Sequence, residues 1–401
     1  MKAPLSPQPY DPRTSQTLTG NWAGLRTDLE NLGLTFRLFY NQQAQQNFHG
    51  GLRQDHGRLS GSYDLQVELN FEKMGLFKGG GFFMEASGTW NEGINPSKVG
   101  ALFNVNADAC GDYPIFVKKW WFKQSLLDQK IELRLGLLET NKDLFDVGLY
   151  ANHEDKDFLN QISIRNPTIP HRKGLGAFVK VKPVDWFYFQ AAAVDAQSRP
   201  RRTGFDTAFH DEAWFIGMWE AGFTPAWPTE RGPLPGRYRI GWWYDPTVKT
   251  IFRDTLDGAL HVDQRGNDLG FYLGFDQMVW KENANSKDTQ GLGLFARYGT
   301  SHGDVNKVNN VWEVGASYKG LIPARDQDVT ALAVSEGILS EQYRHEQDAR
   351  ADRETVYEWY YALQLTPWCI VSPDVQVVTN PGGNKGTPDA FVGGVRVRIV
   401  F

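Results

Sequence analysis

The chain has 401 residues, a net charge of -5, 41% hydrophobic content and a mean hydropathy of -0.46. It holds no run of about 18 apolar residues, which excludes membrane-spanning helices, and no basic patch that would point to nucleic acid. The length would suit two or three soluble domains, yet no Pro/Ser-rich linker divides it, and its 41 glycines, 14 tryptophans and 13% aromatic content suit a membrane barrel whose strands alternate between oil and water.

Met1-Lys2-Ala3-Pro4 lacks the apolar stretch of a signal peptide. A barrel of this kind must be exported, so the sequence reads as a mature chain with a start methionine added. Residues 1–33 read as an N-terminal tail and a short helix at the periplasmic mouth. Met1 to Gln16 is rich in Pro and polar residues; Asn21 is expected to cap a helix carrying Leu25 and Leu29, with Gly33 beyond its end.

Residues 34–401 read as strands in pairs. Leu34 to Asn41 alternates, with Arg37 and Asn41 on its polar face. Leu59 to Phe71 alternates cleanly, setting Leu65, Val67 and Leu69 against Asp64, Gln66 and Glu68. Short turns are expected at Glu72 to Lys78, Leu127 to Gln129 and Pro183 to Asp185. Long loops are expected at 91–114 and 141–173, the second being the third outer loop, which in porins commonly folds into the lumen. Later strands bring the count to about sixteen, interrupted by a Pro-rich turn from Thr224 to Pro235 and by Pro373 inside a strand. Short connections on one side and long ones on the other predict an all-β fold, a single antiparallel transmembrane barrel.

The last stretch, Asp389 to Phe401, sets the pattern most plainly. Phe391, Val395, Val397, Ile399 and Phe401 share one face, and Arg396 and Arg398 share the other with Val392 and Val400. Such a strand closes a barrel with its aromatic end toward lipid and water on the arginine side. The two cysteines, Cys110 in an outer loop and Cys369 near an inner turn, fall on opposite sides of the bilayer, beyond the about 7 Å between Cα atoms that a disulfide allows.

Several motifs match a known family. Leu18-Thr19-Gly20-Asn21-Trp22-Ala23-Gly24-Leu25-Arg26-Thr27-Asp28-Leu29 resembles the N-terminal signature of the carbohydrate-selective porins of the OprB type. So do Leu234-Pro235-Gly236-Arg237-Tyr238-Arg239-Ile240-Gly241-Trp242-Trp243-Tyr244 in the middle and a set near the end: Glu358-Trp359-Tyr360-Tyr361, Thr366-Pro367-Trp368, Pro373-Asp374-Val375-Gln376, Asn380-Pro381-Gly382-Gly383 and Asp389-Ala390. The resemblance spans nearly the whole chain. It implies a sixteen-stranded channel in the outer membrane of a Gram-negative-type bacterium, through which mono- or small oligosaccharides diffuse passively. A general diffusion porin is the alternative, and an outer-membrane enzyme a remote one. Both a homotrimer and a monomer stay open, with a carbohydrate and the outer-membrane lipids as partners.

A sugar path needs charged or amide groups for hydroxyls and aromatic rings for the less polar sugar faces. Inward-phase candidates are Arg37, Asp64, Glu68, Glu85, Lys119, Trp121, Arg134, Arg237, Arg239 and Glu358, with Arg165 on the third outer loop. Both charge signs occur, which suits a neutral polyol better than a phosphate. Opposed charges also brace a lumen wall to wall, and each candidate is open to either role; Arg396 and Arg398 read as braces. Trp121 is expected to face the lumen, with Trp120 opposite. No Gly-x-Ser-x-Gly, P-loop or HExxH motif appears, and no cofactor or metal is expected: His153-Glu154-Asp155-Lys156-Asp157 reads as a solvated acidic loop ahead of a cation site. A soluble β-propeller or lectin-like binder would require internal repeats, which the sequence lacks, and polar outer faces where Leu, Phe and Tyr stand.

Overall fold

Period-two alternation builds the molecule. In the computed structural model, which describes residues 11–401 apart from 152–155, 200–202, 204, 206–213, 253–263, 286–287 and 347–350, sixteen antiparallel strands close into one barrel. They are β1 (Leu34–His49), β2 (Arg58–Asn70), β3 (Gly80–Trp90), β4 (Tyr113–Leu126), β5 (Ile131–Glu139), β6 (Lys173–Val184), β7 (Phe187–Asp195) and β8 (Phe215–Phe223), followed by β9 (Leu234–Asp245), β10 (Asp268–Lys281), β11 (Gly291–Ser301), β12 (Val308–Lys319), β13 (Val329–Leu339), β14 (Arg353–Thr366), β15 (Cys369–Thr379) and β16 (Ala390–Val400). Each strand pairs with its sequence neighbours, and β1 closes the ring on β16 in a register that sets Phe39 opposite Val400 and Asn41 opposite Arg398. Closure leaves no free sheet edge.

The outward phase carries large apolar side chains that stay exposed, among them Leu135, Ile240, Leu273, Leu332 and Val395. A continuous band of this kind matches the hydrocarbon layer of a membrane. The expected strands are all present, and the largest difference is in β1, which runs past Asn41 to His49. Gln42 and Gln46 stand on its outward phase between Tyr40, Ala44 and Phe48, and they interrupt the apolar alternation in the sequence.

Connections of two to ten residues join the strands at one end, for example 127–130 and 367–368, and 91–112 and 140–172 at the other end are far longer. At the short-turn end, Leu18 N–H donates to Val400 O at 2.7 Å and a helix α1 (Leu25–Asn31) follows. Its N-cap is Gly24 rather than Asn21; the Asn21 side-chain Oδ1 instead accepts from Thr27 N–H at 3.1 Å. Gly33 ends the helix at φ +92°, where a Cβ would lie 2.6 Å from Asn70 O. Cys110, in the loop between β3 and β4, and Cys369, at the short-turn end of β15, are not joined in a disulfide.

The turn between β12 and β13 is tied by Asp328. Its carboxylate accepts from Arg325 Nε and Nη2, both at 2.8 Å, from Tyr361 Oη at 2.8 Å and from Gln364 N–H at 2.9 Å. Burial pushes this carboxyl up, but Arg325, the Gln364 N–H and the Tyr361 hydroxyl outweigh it and hold it below the ordinary carboxylate range. A pKa lower in the folded state gives stability above the unfolded value of about 4 that is lost as pH falls through the folded one. Asp328→Asn should therefore destabilise the barrel at pH 7 by about 1–3 kcal/mol, and the gap to wild type should close below about pH 4. Urea unfolding in detergent at pH 7 and pH 3 checks this; an equal gap at both would mean that the charge does not hold the turn.

The apolar core lies inside the barrel. The loop 91–112 (L2) places Ile94, Val99, Phe103 and Val105 against inward-facing Val311, Val356, Val378 and Val392. The loop 140–172 (L3) places Leu144, Phe145 and Ile169 against Phe178, Ile216 and Met218 on the opposite wall. Two glycines mark how closely the loops lie: a Cβ on Gly337 would meet the Phe103 ring at 2.2 Å, and one on Gly293 the Tyr150 ring at 2.2 Å.

Candidate functional site

The two long loops decide what remains open in the lumen. L2 is fastened to β1 and β2 by Asp108, whose carboxylate accepts from Gln43 Nε2 at 3.0 Å and Ser62 Oγ at 2.6 Å. Gln45 and Gln376 side chains both donate to Val105 O, at 3.1 and 2.9 Å.

L3 then crosses the barrel and is fastened almost all the way round. Asp146 meets Arg239 of β9 at 3.0 Å and Arg297 of β11 at 3.5 Å, while its N–H donates to Glu220 of β8 at 2.9 Å. Leu149 N–H donates to Asp276 of β10 at 3.0 Å. Further on, Leu159 and Asn160 N–H groups donate to Glu358 of β14, and Arg396 Nη2 of β16 donates to Asp157 O at 2.6 Å. The short helix α2 (Gln161–Ile164) is capped by Asn160, whose side chain accepts from Ile162 N–H, and Arg297 Nη2 donates to Ile162 O at 2.6 Å.

The wall from β2 to β7 carries fewer of these fastenings and presents a strip of mixed charge and aromatic rings. Asp64 and Glu85 each lie 3.2 Å from Lys118 Nζ, and Glu85 lies 3.7 Å from Lys119. Gln66 Nε2 donates to Glu85 at 2.6 Å, and Lys119 reaches across to Asp143 of L3. Toward the short-turn end Trp121 stacks on Phe83 with centroids 4.3 Å apart. Arg134 lies over both the Trp121 ring (5.1 Å) and the Phe178 ring (5.4 Å) and pairs with Glu132 at 2.7 Å. Arg237 donates to Tyr188 Oη at 3.1 Å, and Lys180 Nζ lies 4.0 Å from the centre of the same ring.

This strip borders two cavities with shared lining. One of about 740 Å³ is lined by Glu68, Phe83, Trp121, Lys123, Glu132 and Arg134. The other, of about 260 Å³, is lined by Arg134, Asp143, Phe178, Lys180, Gln190 and Arg237.

The sequence-predicted residues thus fall into distinct places. Asp64, Glu85, Lys119, Trp121, Arg134 and Arg237 come together on the β2–β9 wall, and Trp120 faces outward with its ring stacked on Phe205. Arg37 and Glu68 stand exposed near the short-turn mouth. Arg165 follows α2 on the long-loop side, beside Asn141 and His171. Arg239 is 5% exposed and Glu358 1% exposed, and the partners of both described above belong to the wall and L3. Arg396 is likewise buried under L3 rather than facing water, because the loop covers the inward face of β16.

Lys118 escapes sequence reasoning. The β3–β4 register steps from Glu85–Lys119 to Ala86–Val117, so Lys118 is the extra residue of a bulge and turns inward with its neighbour. Strict alternation would aim it at lipid, and that cost was the available signal. Of the cluster at 153–157, residues 153–155 lie outside the described residues; among the described residues no group of His, Cys, Asp or Glu is placed to hold a metal ion.

Comparison with known proteins agrees with this geometry. The family described as "Carbohydrate-selective porin, OprB family" matches residues 54–401. Porin B of Pseudomonas aeruginosa is 24% identical, over 96% of this chain and 92% of that protein. Putative porin QuiX of Acinetobacter baylyi is 21% identical, over 96% of this chain and 93% of that one. In fold, the chain is similar to a high-pH structure of Pseudomonas putida OprB, with a TM-score of 0.86 at 22% identity, covering 97% of this chain and 99% of the other. A closed sixteen-stranded barrel narrowed by two inward loops, carrying this family's match over most of its length, makes the chain a member of the OprB family of carbohydrate-selective porins.

Proposed function

We propose that sugars cross this porin along the β2–β9 side of the lumen, between the wall strip and L3, and that passage is passive with no bond made or broken. As a member of its family, the protein is a carbohydrate channel of the Gram-negative outer membrane. The observation that carries the proposed path is the placement of the L3 fastenings. The inward side chains of β8 to β16 are largely covered by the loops, while Trp121, Arg134 and Asp143, the partner of Lys119, border open cavities.

The chemistry of that strip suits a polyol. Lysine and arginine donate to sugar oxygens and carboxylates accept from sugar hydroxyls. The Trp121–Phe83 pair offers a flat apolar surface for the face of a pyranose ring. Ion pairs already satisfy Asp64, Glu85, Lys119 and Arg134, so a sugar exchanges contacts rather than leaving a bare ion, and such weak, replaceable contacts let a solute leave as readily as it arrives.

Liposome swelling with the purified chain tests this, comparing glucose, a disaccharide and an amino acid similar in size to glucose. Glucose should enter fastest and the amino acid markedly more slowly. Equal rates for all three would leave a general pore, and no swelling with well-inserted protein would remove the transport reading.

A further inference from the structure

The long-loop face holds a further cavity, of about 400 Å³, apart from the two that border the wall strip. That is within the about 300–1,000 Å³ typical of small-molecule sites. We infer that it is an outer binding site for sugars carrying a carboxylate, such as aldonates or uronates, which it gathers ahead of the constriction. This deepens the sugar-channel reading and rests on it.

The inference comes from what the cavity wall presents. Among the described residues its charged lining consists of Arg165 and Arg172 of L3 and Lys249, which follows β9; amides of Asn141, Gln161 and Asn166 supply further polar contacts, and none of the described carboxylates lines it. The neighbouring carboxylates sit behind the wall. Asp245 lies 3.6 Å from Arg172 and 3.2 Å from Lys249, and Asp268 lies 2.5 Å from Lys249. Glu139 lies 3.6 Å from Lys173, and Glu354 accepts from the Leu102 and Phe103 N–H groups. Asp245, Asp268 and Glu139 side chains have no exposed surface and Glu354 is fully buried, whereas Arg172 and Lys249 keep 33% and 23% of their side chains exposed.

A solute therefore meets donors from every charged group of the described lining. A neutral hydroxyl brings a hydrogen that needs an acceptor, whereas a carboxylate only accepts and matches a guanidinium with two oxygens. His171 adds no charge of its own here. Burial first, and then the positive charge of Arg165, push its imidazole down to about 3, so it stays neutral at pH 7.

The test is uptake of labelled gluconate, glucose and glucosamine at low concentration into proteoliposomes holding the full chain. The three probes are similar in size and differ in charge. Gluconate should enter faster than glucose, and glucosamine slowest. Arg172→Gln should cut the gluconate preference about tenfold, the worth of roughly one charge-assisted hydrogen bond, and leave glucose uptake unchanged. Block of channel current by gluconate added on the long-loop side gives a second readout that needs no variant. Glucose uptake without any gluconate preference would overturn the carboxylate site alone, as would a variant that slows all three solutes equally. Failure of every sugar to enter would overturn the channel reading beneath it as well.

Discussion

Replacing Arg239 with alanine is expected to release L3 from the far wall and widen the pore. Arg239 is the hinge pin of the loop: its guanidinium meets Asp146 of L3 at 3.0 Å and Asp276 of β10 on its other side, and all three side chains are at most 3% exposed. Removing the cation leaves two carboxylates buried beside Glu220, and breaking a buried pair from one side costs about 3–5 kcal/mol. The cheapest relief is for residues 146–149 to leave the wall, because the strands are held by their own ladders and the loop is not. Single-channel conductance should rise, discrimination between glucose and a disaccharide should fall, and the thermal midpoint should drop. Arg239→Ala combined with Asp146→Asn should recover part of the stability but not the narrow pore, since the neutral pair no longer draws the loop inward. A folded Arg239→Ala barrel with unchanged conductance and sugar discrimination would show that L3 is held by its other contacts.

The barrel was legible because its signal is local. An inward polar residue followed by an outward apolar one repeats within each strand, and the turns at Leu127-Asp128-Gln129 and Thr366-Pro367 are short enough to be unambiguous. The first strand was legible only to Asn41, because Gln42 and Gln46 on its outward phase interrupt the apolar alternation. Lys118 was hidden by the same rule that revealed the rest, since a bulge breaks period two.

What the sequence did not disclose was where the loops land. Placing Asp146 beside Arg239 or Asp157 beside Arg396 requires contacts across 93 and 239 residues, and no periodicity encodes them. One trace of them was present. Inward positions of β11 to β16 hold Gly293, Gly337, Val356, Val378 and Val392, which a water-filled lumen does not call for. They are small or apolar because L2 and L3 cover them. A polar-in, apolar-out barrel whose inward phase turns apolar on one side is announcing a plug on that side. The same reasoning separates the candidate residues: Glu358 and Arg239 lie under the plug and fasten it, and Trp121 and Arg134 lie beside the opening.

Glu85→Ala should shift the ion selectivity of the channel toward anions while leaving the barrel folded. Glu85 holds both ammonium groups of the bulge, at 3.2 Å from Lys118 and 3.7 Å from Lys119, with Gln66 as its third partner. Without it Lys118 keeps Asp64 and Lys119 keeps Asp143, so neither lysine is stranded and the stability loss should stay near the about 1.5–3 kcal/mol of a hydrogen bond to a charged group. The narrow region, however, loses one of its three carboxylates and keeps both lysines. In a KCl gradient the reversal potential should move toward the chloride limit, most at low ionic strength, where screening is weakest. Lys119→Ala should move it the other way. Glu85→Gln separates charge from contact, because the amide can still face Gln66: if it reproduces the full shift, the charge is responsible. Glucose influx should fall in Glu85→Ala as well, since the two ammonium groups on the proposed sugar path lose the acceptor that holds them in place. Opposite shifts from the two alanine variants would fix the path beside β3 and β4. Unchanged selectivity in both would place the open passage elsewhere in the lumen and remove the β2–β9 strip from the sugar route.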